Sequence, residues 1–323
     1  KQVSKNIGYS YHNLEQDMFW NRSLDWLLEN YPDEKLLFLF GRNAYLKTRD
    51  KDGDRAFSYI KSSPMRMKMC KFAEKRINMD CIKNRRTIRK YKQEDIPSEL
   101  LNSLLEEAFR ASTMGNMQLY SVVVTREPEM KAKLAPAHFN QPMVTTAPVV
   151  LTFCADFNRF SKWCKCRKAE PGYDNPISFI NAASDALLVT QNFCTLAEAH
   201  GLGICYLGTT VYNPDQIVEI LQLPELVMPV ATITVGYPDE CPVQPERLPL
   251  EGILHEEVYH DYTDQDIDRI YAAKEAMPEN QHFVTINQKE TLAQVFTDIR
   301  YKKADNEYMS QVLKKTLKQQ GFE

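Results

Sequence analysis

The sequence predicts a mixed α/β domain of about 240 residues with a helical extension at its amino terminus. Three observations predict it. Short apolar or β-branched runs at 121–125, 148–153, 204–207 and 228–235 read as strands. Segments with helical spacing lie between them. The chain also changes character near residue 80, before which no strand-and-helix alternation is seen. The connections do not form a regular βαβ series, which argues against a doubly wound nucleotide fold. Neither GxGxxG after a strand nor GxxxxGK[ST] occurs.

In the first 80 residues, Met18-Phe19, Leu24 and Leu27-Leu28, followed by 36–40, suggest two short helices split at Tyr31-Pro32-Asp33. Asp50-Lys51-Asp52-Gly53-Asp54 is a turn-rich break. It begins like a calcium-binding loop but lacks the later Glu at the required spacing. A third helix is expected over 65–78. Residues 61–92 carry twelve Lys or Arg against Glu74 and Asp80, a local charge of +10. Such a run can be a nucleic-acid arm, a phosphate site or a solvated helix face.

From residue 80 onward, Ile96-Pro97-Ser98-Glu99 opens a capped helix running to about residue 110, with Pro in the first turn. The run at 148–153 is continuously apolar and should be buried on both faces. Residues 180–200 form a long helix that is apolar nearly all round, hence central. Gly201-Leu202-Gly203 stops it. A short helix over 214–221 precedes the last strand, which Gly236-Tyr237-Pro238 closes. A charged helical region is expected over about 291–320.

Composition narrows the function classes. The 323 residues are 43% hydrophobic and 26% charged, ordinary for a globular protein, with a net charge of −3. That balance gives no general attraction to nucleic acid or acidic membrane. The longest apolar runs fall far short of the roughly 20 residues that span a bilayer. Eight cysteines in so long a chain do not suggest a disulfide scaffold. Cys154, Cys194 and Cys205 sit in apolar stretches and read as reduced, buried thiols of a cytosolic protein. Cys164-Lys165-Cys166 has no second pair at zinc spacing, so no metal site is expected.

Three segments could carry chemistry. Arg85-Arg86-Thr87-Ile88-Arg89 offers three planar forks and a hydroxyl, enough to enclose one phosphate. Its plainer reading is a solvated basic face. Ser112-Thr113-Met114-Gly115-Asn116-Met117-Gln118 is dense in small donors and amides that could ring a planar heterocycle. Alone it is only a capped turn. Gly201-Leu202-Gly203-Ile204-Cys205-Tyr206-Leu207-Gly208 ends in a glycine that would let something flat approach the main chain. It is otherwise a helix stop followed by a core strand. Asp185, inside the apolar helix, needs a partner and reads as structural.

In this order, the segments resemble the FMN-dependent nitroreductase family. Arg85-Arg86-Thr87-Ile88-Arg89-Lys90-Tyr91 is similar to its opening [HR]-R-[ST]-[IV]-R-x-[FY] motif. Glu198-Ala199-His200-Gly201-Leu202-Gly203-Ile204-Cys205-Tyr206-Leu207-Gly208 matches E-x-x-G-L-G-x-x-[YW]-[IL]-G. Phe153-Cys154-Ala155-Asp156-Phe157-Asn158-Arg159 and Arg247-Leu248-Pro249 look like the oxygen-insensitive NADPH nitroreductase and flavin reductase subgroup. The resemblance covers about 81–323.

It implies an α+β fold in which helices surround a central, mostly antiparallel sheet, with 1–80 as a helical extension and 81–323 as the FMN domain. It implies a cytoplasmic homodimer with two FMN sites at the subunit interface. Arg85, Arg86, Thr87 and Arg89 would hold the FMN phosphate and ribityl chain, and Arg247 would add to that end. Thr113, Gly115, Asn116 and Gln118 would come from the second polar loop, supplied by the other subunit. Gln141 would lie beside the isoalloxazine ring, with Tyr206, Leu207, Gly208 and Thr209 along its face and its N5 side. The chemistry implied is ping-pong hydride transfer from NADPH or NADH through FMN to nitroaromatics, quinones or flavins, with no role for nucleic acid, membrane or metal. Departures are visible: the polar loop is one residue shorter, Thr209 replaces a second glycine, Val243-Gln244-Pro245-Glu246 holds no Lys before Arg247, and the stretch 279–289, where the subgroup carries arginines on a mobile loop, holds one Lys and no Arg. A flavin-fold binding or regulatory protein is the alternative, its N-terminal segment contacting a partner.

Overall fold

The four expected strands join one sheet. They are β4 (Tyr120–Thr125), β5 (Val149–Asp156), β6 (Gly203–Leu207) and β7 (Val227–Gly236), in the order β4-β5-β7-β6, with every pairing antiparallel. The computed structural model describes residues 80–323 together with the backbone of three earlier strands. The chain divides into two units, Lys1–Ile77 and Asn78–Glu323.

In the first unit, β1 (Leu36–Phe40), β2 (Asn43–Arg49) and β3 (Arg55–Tyr59) form an antiparallel sheet in sequence order. This corrects the expected helix over Leu36–Phe40. A five-residue apolar run has no period that separates helix from strand, and here it pairs with β2 from Leu36↔Lys47 to Phe40↔Asn43. The expected helices around 18–28 and 65–78 and the turn-rich break at 50–54 lie outside the described residues.

In the second unit the helices are α1 (Asp80–Lys83), α2 (Ser98–Ala108), α3 (Pro128–Leu134), α4 (Pro142–Thr146), α5 (Asn158–Cys166), α6 (Pro176–Ala199), α7 (Pro214–Leu221), α8 (Asp264–Glu275), α9 (Pro278–Ile286), α10 (Leu292–Gln294) and α11 (Lys303–Gln319). Two apolar clusters cover the two faces of the sheet. One joins α2 and α6 to Leu151, Phe153 and Ile233; the other gathers Leu134, Met143, Val144, Leu207 and Ile217. With both faces covered, β5 and β7 are buried along their whole length, as the continuous apolar run of β5 requires.

Helix α6 is the spine of the unit and touches all four strands. The Asn175 side chain accepts the Ser178 amide at its start, and Gly201 ends it at φ 79°, where Leu202 N–H reaches back to the Ala197 carbonyl at 2.9 Å. Ala182, Ala186, Val189, Phe193 and Ala197 recur every three or four residues and are buried. A second apolar stripe stays open, with Ile177 62%, Ile180 55%, Leu187 42% and Leu188 49% exposed.

Some elements differ from expectation. Pro97 stands at the N-cap of α2 with no side-chain cap. Helices α8 and α9 were not foreseen, although Thr263 and Asp266 form a capping box at the start of α8. The stretch 279–289, expected as a mobile loop, lies mostly in α9. The C-terminal helical region is broken: α10 continues into a π-helix over Val295–Arg300 before α11 begins. No helix among the described residues is long and apolar enough to cross a membrane.

Candidate functional site

The arginine segment lies along the free edge of β6. The Ile88 amide donates to the Ile204 carbonyl at 2.9 Å, and Ile88 fits against Gly203, where an added Cβ would come within 2.7 Å of it. On the other side runs 237–244. Lys92 N–H donates to Tyr237 O at 2.9 Å, Asp239 N–H to Lys90 O at 3.0 Å, and Gln244 Nε2 to Lys83 O at 2.5 Å. The Glu240 carboxylate accepts both the Arg89 amide (2.6 Å) and the Lys90 amide (3.1 Å). The strip is therefore held by its backbone, which leaves the side chains for other work. Covering the β6 edge also blocks strand addition there.

Of those side chains, Arg85 faces Glu198 at 3.6 Å near the end of α6. Burial pushes the Glu198 carboxyl up to about 7, against the pull of Arg85. Arg86 donates one terminal nitrogen to Asn84 O at 3.1 Å, while its Nε is buried without a partner among the described residues. Arg89 is exposed and Thr87 half-buried. Gln244 is hydrogen-bonded to Lys83 three residues before Arg247, whose guanidinium donates, among the described residues, to the local carbonyls of Pro245 and Glu246.

The floor follows directly along β6. Leu207 is buried, Tyr206 and Gly208 are exposed, and Thr209 is half-buried. A Cβ added at Gly208 would meet nothing within 4 Å. This opening above the main chain is what a flat ring system would need.

Gln141 lies in the turn after the short 3-10 helix Pro136–His138. Its amide side chain donates to the His138 carbonyl at 3.1 Å. This turn is locked to the floor: His138 Nδ1 meets Thr209 Oγ1 at 2.8 Å, and Asn213 Nδ2 donates to Ala137 O at 2.9 Å. Gln141 and Gly208–Thr209 thus belong to one assembly.

The 113–118 loop sits elsewhere. Asp185, 2% exposed, accepts the Thr113 hydroxyl at 2.5 Å, the Met114 amide at 2.9 Å and the Leu119 amide at 3.1 Å. Thr113 Oγ1 in turn accepts the Gln118 amide at 2.9 Å. Gly115, Asn116 and Gln118 all have left-handed φ, from 52° to 56°, and all three are exposed. The Thr113 hydroxyl is thus spent inside the loop, while Gly115, Asn116 and Gln118 face outward. Asp185 and Glu198 are thirteen residues apart on α6, about 20 Å. One chain therefore brings Arg85–Arg89, Gln141 and Tyr206–Thr209 to the β6 edge of the sheet, and holds Thr113–Gln118 well away from them.

Sequence reasoning missed three side chains that build this arrangement. Glu240 carries no signal at all. His138 is isolated in sequence. Glu198 stood within a motif but without a role. Asp185 did give a signal, because a carboxylate in an apolar helix must find donors.

The nitroreductase family pattern matches residues 82–237. The FMN reductase (NADPH) of Bacillus subtilis is 33% identical over 188 residues, which are 58% of this chain and 76% of that protein. The crystal structure of a Bacteroides fragilis protein described as an oxidoreductase is similar with a TM-score of 0.75 and 68% identity, over 76% of this chain and 99% of the other. The NfrA1 nitroreductase of Bacillus subtilis is similar with a TM-score of 0.66 and 28% identity, over 76% and 98%. With the arginine strip, the open floor and the antiparallel sheet already in place, these likenesses make the chain a member of the nitroreductase family.

Proposed function

We propose that this FMN-dependent NAD(P)H oxidoreductase reduces nitroaromatics, quinones or flavins by ping-pong hydride transfer, as a homodimer with two FMN sites at its subunit interface. The observation that carries the reading is the hydrogen bond from Ile88 to Ile204. It sets a phosphate-type donor strip beside the strand that ends, three residues later, in open space over Gly208. Three residues of strand are about 10 Å, a span suited to the polyol chain between the phosphate and ring of FMN. Arg85, Arg86, Thr87 and Arg89 would hold the phosphate and ribityl end, and the buried, unpartnered Nε of Arg86 is a donor in need of an acceptor. Arg247 would add charge there. Tyr206, Leu207, Gly208 and Thr209 would lie along the ring face and its N5 side, with Gln141 beside it.

When bound, FMN supplies the hydride chemistry. The chain's own task is to bind, orient and exclude water. Among the described residues no side-chain nucleophile is needed for that task.

Two features support the dimer. The exposed apolar stripe of α6 is a surface that a second copy would cover. The 113–118 loop lies about 20 Å along α6 from the arginine strip. Gly115, Asn116 and Gln118, on the loop that Thr113 anchors, therefore reach a common FMN most simply when the loop comes from the partner. A cytoplasmic location fits the free, buried Cys154, Cys194 and Cys205.

The test is an absorbance spectrum of the purified protein followed by anaerobic addition of NADPH and, separately, NADH. Flavin bands that bleach with either nucleotide, and recover on addition of a nitroarene or quinone, are expected. Bands that stay oxidised with both nucleotides would leave a flavin-binding protein without this activity. No flavin after incubation with FMN would sink the reading.

A further inference from the structure

The interior around the Gln141 turn holds a histidine that no step above has used. His138 is fully buried, and Nε2 has no hydrogen-bond partner among the described residues. Among the described residues the ring makes one hydrogen bond, Nδ1 to Thr209 Oγ1 at 2.8 Å. Burial depresses its titration to about 4, with no charged group facing it among the described residues. The ring is therefore neutral at ordinary pH and carries a single N–H. That proton has two possible seats. On Nε2 it would be a buried donor with no acceptor. On Nδ1 it is donated to Thr209, and the orphan on Nε2 is only a lone pair, the less costly of the two.

The choice of tautomer fixes the polarity of Thr209. If Oγ1 receives the Nδ1 proton, the hydroxyl's own hydrogen is left to donate outward. Thr209 is half-buried beside the open floor at Gly208 and makes no other side-chain hydrogen bond among the described residues. The arrangement also joins two segments that reach the floor from different parts of the chain. Asn213 to Ala137 at 2.9 Å and the Phe139 and Tyr212 rings, 6.5 Å apart, reinforce the same junction.

We propose that His138 is a positioning residue for the flavin: through Nδ1–H it holds the Thr209 hydroxyl as a hydrogen-bond donor toward the ring edge and locks the Gln141 turn to the Gly208 floor. This rests on the reading of 206–209 as the flavin floor. A donor at the ring edge favours the electron-rich reduced flavin over the oxidised one, so its loss makes the bound flavin harder to reduce.

The experiment is spectroelectrochemical titration of the FMN-loaded protein and its variants. Thr209→Val and His138→Phe should each move the flavin midpoint potential to a more negative value. The double variant should move it no further than Thr209→Val alone, because His138 acts through Thr209. His138→Asn, which keeps a donor, and Thr209→Ser, which keeps the hydroxyl, should stay near wild type. FMN retention should weaken about 2- to 10-fold in the first two variants. A potential unchanged in His138→Phe, or additive shifts in the double variant, would overturn the proposal. If the histidine variants do not fold, 15N NMR of the wild-type imidazole decides: a proton on Nε2 rather than Nδ1 overturns it. A wild type that takes up no FMN overturns the flavin reading and this proposal together. Bound FMN with an unmoved potential overturns this proposal alone.

Discussion

The arginine strip and the 113–118 loop are built on opposite plans. The strip is fixed through its backbone, by Ile204, by the 237–244 segment and by the Glu240 carboxylate, so its guanidinium groups carry none of that anchoring. The loop is fixed through the Thr113 hydroxyl and two amides gathered on one buried carboxylate, so its outward amides are left over. Strong cations suit a phosphate, whereas backbone and side-chain amides suit the polar edge of a neutral ring. The difference teaches that a side chain of the right type need not be the one that meets the ligand. Thr113 was expected as a contact, and its hydroxyl is engaged in anchoring the loop.

Breaking the loop's single anchor should have the largest effect. Asp185→Ala strands three donors, so a loss of about 3–5 kcal/mol in stability is expected in thermal unfolding, together with loss of FMN retention. The comparison sharpens if Asp185→Asn and Arg86→Ala chains are mixed. Should the loop serve the partner's site, the mixed dimer has one site with both halves intact and regains half the flavin; no recovery would place strip and loop in the same subunit's site.

Next in size, Arg89→Ala removes a charged donor without disturbing the backbone pairing. FMN binding should weaken by about 1.5–3 kcal/mol, read by equilibrium dialysis. Unchanged affinity would remove Arg89 from the phosphate set.

Glu198 tests whether the strip's side chains carry a cost. Its folded pKa, near 7, lies above the ordinary carboxylate value of 4.5. The protonated form is thus favoured by the fold, and the associated stability is full below about pH 4.5 and lost as pH rises toward 7. Glu198→Gln should match wild type near pH 4.5 and exceed it in melting temperature above pH 7. Equal melting curves at both ends would show that Arg85 compensates the buried charge completely.

The smallest effect belongs to Thr113→Val. It leaves Met114 and Leu119 on Asp185 and should cost about 1 kcal/mol, with little change in FMN affinity. A large loss of FMN would return Thr113 to the list of direct contacts.

The fold was readable where burial dictates composition. A continuous apolar run gave β5, an apolar and β-branched run gave β7, and a segment apolar nearly all round gave α6. It was unreadable where a run was too short to show a period, as at Leu36–Phe40, and where helices are mostly polar, as in α8 and α9. The site was readable as residue types but not as partnerships. Nothing in a linear reading joins Glu240 to Arg89 across 151 positions, or His138 to Thr209 across 71. Such pairs exist only once the sheet order β5-β7-β6 has brought distant segments to one end.

Two glycines five residues apart have opposite tolerances. At Gly203 an added methyl would collide with Ile88, whereas at Gly208 it would enter empty space. Any side chain at 203 must push the arginine strip off its strand. A side chain at 208 would leave the scaffold as it is and instead fill the space a flat ring needs. The first glycine thus guards the fold of the strip, and the second, just past the end of the strand, guards the room above the floor.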